Sequence, residues 1–287
     1  MTGTVTFLVT TARSGTQWLA AALQEAFGDA VVVRHEPLGY RYHPKATLRN
    51  PPALRALARQ PEVAAHFAEI HAIRAERPYL EVGFPAYTLA PVLRAEFGDA
   101  LRLVQLTRHP VRVAGSLLTH GWYQPDRRAD LAAEVAPEPS DAGVTLPHYA
   151  ARWPGMTAFE KALYCWYQVH AYGREVEAEA PPGQFARFAF ERLLDDAATR
   201  AAFAAHIGLD DRPGWRESPT RRVVDRFHRR TAQPIEAWRA AAHPEIVALA
   251  QALGYDMAQV DARALAARYR KSWPRRALAA LRRVSRR

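Results

Sequence analysis

The chain has 287 residues, 49 % of them apolar and 24 % charged, which bounds it to one sizeable core or at most two small domains. No apolar stretch approaches the ~20 residues that cross a bilayer, and Cys165 is the only cysteine, which excludes a disulfide framework or a thiol-rich metal site. The formal charge of +10 rests almost wholly on arginine, because Lys45, Lys161 and Lys271 are the only lysines; it suits a polyanionic ligand, and nucleic acid or acidic lipid as well.

In chain order, short apolar runs alternate with helical patterns, which predicts a parallel α/β sheet. Residues 5–10 read as the first strand, so close to the N-terminus that no targeting segment is expected. A helix over 16–27 places Trp18, Leu19, Ala22 and Leu23 on one face and stops at Gly28. Residues 31–34 form the second strand, 51–76 two helices broken at Pro61, 79–82 the third strand, and 88–97 a short helix ending at Gly98. The fourth strand spans 101–107. From 121 to 156 the pattern dissolves into Pro, Asp, Arg and Gly, an excursion that either covers a site or is a surface insertion. A long helix over 157–179 stacks Leu163, Trp166, Tyr167 and His170, and 184–190 is the fifth strand. No repeat or linker divides residues 1–260, which read as one domain. Residues 261–287 read as a basic tail with Leu278, Leu281 and Val284 at helical spacing, suited to a membrane surface, a partner or plain solvent.

Two segments carry chemistry. Thr10-Thr11-Ala12-Arg13-Ser14-Gly15-Thr16-Gln17-Trp18 follows the first strand, and Arg108-His109-Pro110-Val111-Arg112-Val113-Ala114-Gly115-Ser116 follows the fourth. Strand, tight turn and helix start together aim backbone N–H groups and a helix N-terminus at an anion. Two such cradles, each with an arginine, suit a nucleotide bearing 5′ and 3′ anionic groups.

The pair resembles the sulfotransferase family, which uses 3′-phosphoadenosine 5′-phosphosulfate (PAPS) as sulfuryl donor and releases 3′-phosphoadenosine 5′-phosphate (PAP). In that family a basic-Ser-Gly-Thr loop holds the 5′-phosphosulfate, matched here by Arg13-Ser14-Gly15-Thr16. An arginine followed eight positions later by a serine holds the 3′-phosphate, matched by Arg108 and Ser116. The resemblance implies a single-domain, P-loop-like parallel β-sheet flanked by helices and chemistry without a metal. It implies donor contacts from Ser14, Gly15, Thr16, Gln17 and Trp18, with Arg13 stabilising charge on the bridging oxygen.

After the second strand, Arg34-His35-Glu36-Pro37 resembles the Glu-Pro of bacterial and carbohydrate-type members, which makes Glu36 the catalytic base and a sugar or glycolipid hydroxyl the acceptor. Other small-molecule hydroxyls or amines stay open. His35 and then Glu81 are the alternative bases, because Glu81-Val82-Gly83-Phe84-Pro85 lacks the histidine that cytosolic small-molecule enzymes carry there. Phe188-Ala189-Phe190-Glu191-Arg192-Leu193 resembles the family's strand-to-helix stretch, which puts Phe190 near the adenine without a hydroxyl to donate. Leu253-Gly254-Tyr255 resembles the end of the fold in bacterial members. The family's C-terminal Arg-Lys-Gly segment is absent, and Arg221, Arg222, Arg226, His228, Arg229 and Arg230 cluster roughly in its place. A cytoplasmic enzyme follows, with the basic tail available for peripheral membrane contact.

Two rival classes make other demands. A P-loop nucleotide kinase using ATP and magnesium needs Gly-x-x-x-x-Gly-Lys-Ser/Thr, whereas the basic residue here precedes Gly15. A non-enzymatic nucleic-acid-binding protein would group basic residues among exposed aromatics, whereas the arginines here are spread along the chain, so no nucleic-acid partner is expected.

Overall fold

Apolar, largely β-branched or aromatic residues fill five short strands: β1 (Val5–Val9), β2 (Val32–Arg34), β3 (Tyr79–Glu81), β4 (Leu101–Thr107) and β5 (Phe185–Ala189). These lie in a computed structural model that describes residues 3–124, 129–217 and 230–270. All pairings are parallel, in the order β2-β3-β1-β4-β5, and each strand ends within one residue of the sequence expectation. β1 is the central strand, with Val5 opposite Leu101 and Tyr79 in its two neighbours.

Alternation along β1 feeds both faces, as a sheet covered on both sides requires. Val5, Phe7 and Val9 pack with the helices Pro51–Ala58, Pro61–Arg74 and Ala90–Phe97. Leu8 faces the helices Thr16–Phe27 and Ala197–His206 on the other side. The long helix Ala158–Glu179 begins with a capping box: Thr157 Oγ1 accepts from Glu160 N–H and Glu160 Oε2 accepts from Thr157 N–H.

The excursion after residue 121 is more ordered than its composition suggests. It holds the helix Ala129–Glu134 and 3-10 turns at Pro147–Ala151 and Trp153–Gly155, and it buries Leu131, Val135, Leu146, Tyr149 and Met156. Three bonds strap it to the segment behind β2: His43 Nδ1 to Glu134 Oε2 at 2.7 Å, Lys45 Nζ to Asp141 Oδ1 at 3.2 Å, and Arg49 Nη1 to the Gly143 carbonyl at 2.6 Å. The apolar residues that the excursion buries are scattered without a period and the bonds that strap it join residues distant in sequence, so no helical pattern announced it.

The chain also stays with the core beyond residue 260. Asp261 caps the helix Ala262–Tyr269 by accepting from Arg263 and Ala264 N–H, and Leu265 and Tyr269 are buried against the helix Pro110–Thr119. Leu278, Leu281 and Val284 lie outside the described residues. Among the described residues no helix is long and apolar enough to cross a membrane.

Candidate active site

β1 delivers the chain to the sheet's C-terminal edge, where Thr10 Oγ1 donates to the Leu106 carbonyl of β4 at 2.6 Å. The turn that follows places Arg13 at φ 71° and Gly15 at φ 95°. Left-handed residues alternating with ordinary ones turn successive N–H groups toward one concavity, a nest that binds anions. The helix Thr16–Phe27 starts at the nest, and its first ladder bond runs from Leu19 N–H to the Gly15 carbonyl. The N–H groups of Thr16, Gln17 and Trp18 therefore have no helical acceptor and face forward. Ser14 is fully buried, with its Oγ 2.7 Å from Thr11 Oγ1.

Gly15 is required twice over: by its φ, and because an added Cβ would run into the Phe190 ring. Gly15→Ala is expected to destabilise the fold by about 1–3 kcal/mol and to abolish nucleotide binding, read by thermal melting and titration. A variant that binds as well as the parent would remove the loop from the site.

β4 runs beside β1, so the second motif opens next to the first. Arg108 Nη1 donates to the Arg13 carbonyl at 2.6 Å, and Arg13 Nε donates to Ser116 Oγ at 2.9 Å. Two segments distant in sequence thus share one site, each arginine reaching across to the other's loop. The Arg108 guanidinium lies over the Phe190 ring, 5.1 Å from its centre. Its Nε is buried with no hydrogen-bond partner, and among the described residues no carboxylate pairs with it at salt-bridge distance. Burial pulls the Arg108 pKa below its ordinary value; Tyr269 and Glu191 oppose that, while Arg268 and Arg13 add to it.

The loop is braced from behind. Trp166 Nε1 donates to the Arg108 carbonyl at 2.9 Å, His109 N–H donates to Glu191 Oε1, and Tyr255 OH donates to Glu191 Oε2. His109 Nδ1 accepts from Val111 N–H and its Nε2 lies 3.0 Å from the Asp256 carbonyl oxygen, so His109 is a cap rather than a ligand. Trp166, Glu191 and Tyr255 as braces had no signal of their own in the sequence.

Glu36 follows β2 at φ 51° and points its half-buried carboxyl at Gly83, where a Cβ would meet Glu36 Cγ at 2.5 Å. Its Oε1 makes a long contact, 3.5 Å, with Phe84 N–H. Burial is the main reason that its pKa is pushed up to about 7; Phe84 N–H and Arg13 oppose the shift and Glu81 adds to it. His35 Nε2 lies 3.2 Å from Thr16 Oγ1 and 4.0 Å from Glu36 Oε1, which joins the loop after β1 to the carboxyl. Burial holds the His35 pKa below its ordinary value. Glu81 is sealed in the core, 2.9 Å from His66 Nε2 and accepting from Tyr79 OH, so it does not face the loops.

Trp18 turns its side chain into the core against Phe190 and Trp215, which leaves only its N–H for a ligand. Phe190 itself opens the helix Phe190–Asp195 instead of ending β5, and its buried ring packs between Gly15, Trp18 and Arg108. Of the basic cluster at 221–230, only Arg230 falls within the described residues.

A parallel sheet in this order with both arginine-bearing loops on one edge invites comparison with known structures. The sulfotransferase domain from the curacin biosynthetic pathway superposes on 89 % of this chain and 99 % of its own, with a TM-score of 0.52 at 13 % identity. The chain has a sulfotransferase fold. The sulfotransferase from Alicyclobacillus acidocaldarius (TM-score 0.49, 14 % identity, covering 88 % of this chain and 96 % of its own) also matches. So does the sulfotransferase domain of the Synechococcus PCC 7002 olefin synthase (0.48, 16 %, 88 % and 94 %). No family model and no curated protein matches. Within this sulfotransferase fold, Arg13 and Arg108 stand outside the carboxyl ends of neighbouring central strands, where open α/β sheets take their ligands.

Proposed function

We propose that the protein is a PAPS-dependent sulfotransferase acting on a hydroxyl or amine, with a sugar or glycolipid hydroxyl as the acceptor class favoured by the Glu36-Pro37 segment. The observation that carries the reading is the Arg108 guanidinium: a partly buried cation whose Nε is buried and unpartnered, beside a nest of N–H groups. A desolvated cation without a counter-charge is costly, and a bound anion removes that cost.

The residues divide the work as follows. N–H groups of residues 14–18 and the Arg13 side chain hold the 5′ group, while Arg108 and Ser116 take the 3′-phosphate. Glu36 accepts the acceptor's proton as the acceptor oxygen or nitrogen attacks sulfur. The bond from sulfur to the 5′-phosphate oxygen breaks with its electron pair on that oxygen, and Arg13 and the nest offset the charge gathering there. The products are the sulfated acceptor, PAP and one proton, which Glu36 returns to water. A carboxyl poised near neutral pH is suited to that exchange. A cytoplasmic setting, with the chain beyond residue 270 available to a membrane surface, belongs to the same reading.

Calorimetric titration with PAP, adenosine 5′-phosphate, and ATP with magnesium tests it. Micromolar binding of PAP, lost without the 3′-phosphate and indifferent to magnesium, is the expected result. Preference for ATP with magnesium, or no nucleotide binding, overturns it.

A further inference from the structure

Gly83, just beyond β3, does not take the left-handed φ of Gly15 or Gly39, so its backbone would accept any side chain. What it lacks is room. A Cβ built there would stand 2.5 Å from Glu36 Cγ, 3.3 Å from Glu36 N and 3.4 Å from Glu36 Cα. Glu36 therefore lies along the bare face of Gly83. The two segments are tied at this point, because Val82 N–H donates to the Arg34 carbonyl at 2.8 Å and carries the β2–β3 pairing one step further.

Glu36 is held from its own side as well. Its φ of 51° is unfavourable for a residue with a side chain and persists only where the surroundings fix it. Gly39 N–H donates to the Glu36 carbonyl at 3.1 Å and closes the turn. Both polar contacts of the carboxyl, Phe84 N–H at 3.5 Å and His35 Nε2 at 4.0 Å, fall on Oε1. The ionisable groups that act on it are His35 beside it, Arg13 from the loop after β1, and Glu81 from β3, which His66 and Tyr79 OH engage.

We infer that Gly83 is a positioning residue for proton transfer: its missing side chain is the seat that keeps the Glu36 carboxyl half-buried, with Oε1 held and Oε2 left to take the acceptor's proton. The inference rests on the sulfotransferase reading and deepens it. An alanine Cβ competes for that seat, and the Glu36 side chain, with its rotatable bonds, gives way before the sheet does. A carboxyl pushed into water loses both its aim and the desolvation that keeps it near neutral.

Carboxyl 13C shifts of glutamate-labelled protein, followed against pH, test the seat without an acceptor. The parent is expected to show a glutamate titrating near pH 7 that is missing in Glu36→Gln. In Gly83→Ala that resonance should titrate at least one pH unit lower, with PAP affinity within twofold of the parent. Turnover should fall tenfold or more in Gly83→Ala, yet the same change should add nothing in a Glu36→Ala background. Any loss of melting temperature in Gly83→Ala should likewise largely vanish beside Glu36→Ala, which has no Cγ to meet. An unmoved titration, or equal losses with and without the Glu36 side chain, overturns the inference and leaves Gly83 a packing residue. Turnover that survives Glu36→Gln removes the base assignment, and this role with it. A parent chain that does not bind PAP removes the donor reading itself.

Discussion

Arg108→Met weakens PAP binding by about 30-fold, ~2 kcal/mol, as expected for the loss of a charge-assisted pair to a phosphate. Methionine keeps much of the packing over Phe190 while deleting the charge, so the fold survives. Adenosine 5′-phosphate should lose only a few-fold, and that residual loss has a named origin. Arg108 Nη1 holds the Arg13 carbonyl, and slackening it loosens the turn that shapes the nest. Calorimetry with both nucleotides separates the two contributions. Undiminished PAP affinity would take Arg108 out of the site.

Glu36→Gln acts on chemistry instead of binding. Turnover should fall 100-fold or more, the scale of losing a general base, while PAP affinity at pH 8 stays within about threefold. In the parent, the rate should rise with pH through about 7 and level off above it, because the base works ionised. The variant should show no such limb. Melting curves give a second readout that needs no acceptor. The folded pKa of Glu36, about 7, lies above its ordinary 4.5, so its contribution to stability is fully present below pH 4.5 and lost as pH rises through about 7. Relative to the parent, the glutamine variant should therefore gain stability at pH 8 and not at pH 4. If turnover survives the substitution, the base is elsewhere, and His35 is the residue to replace next.

The sheet was legible because parallel strands covered on both faces are near-continuous apolar runs bounded by Gly, Pro or charge, and residues 101–107 read so plainly that both ends agree. The form of the two arginine-bearing loops was legible because each is a local strand-turn-helix pattern. What joins them was not: the Arg13–Ser116 and Arg108–Arg13 bonds depend on β1 and β4 being neighbours, and pairing order leaves no local trace. Phe190 illustrates the same limit. Its position near the loop could be expected, but its pressing against Gly15 follows from the strand running out one residue early. The strap over 129–156 and the docking of Leu265 and Tyr269 rest on single apolar residues meeting distant partners, which no period along the chain encodes.

The strand order also sets when during folding the site comes into being. β1 emerges first, yet its partners are β3 and β4, and the strand that follows it in the chain pairs with neither β1 nor β4. Contacts between segments so far apart in sequence close slowly, because the loop entropy is lost before the pairing rewards it. On the proposed function, a growing chain that has not yet released residue 116 has half of the nucleotide site, and the helix that docks on Gly115 arrives only with residues 262–269. On that reading nucleotide affinity is a late-appearing property, and a fluorescent PAP analogue added to a refolding chain is expected to report the last step of assembly, after most secondary structure has formed.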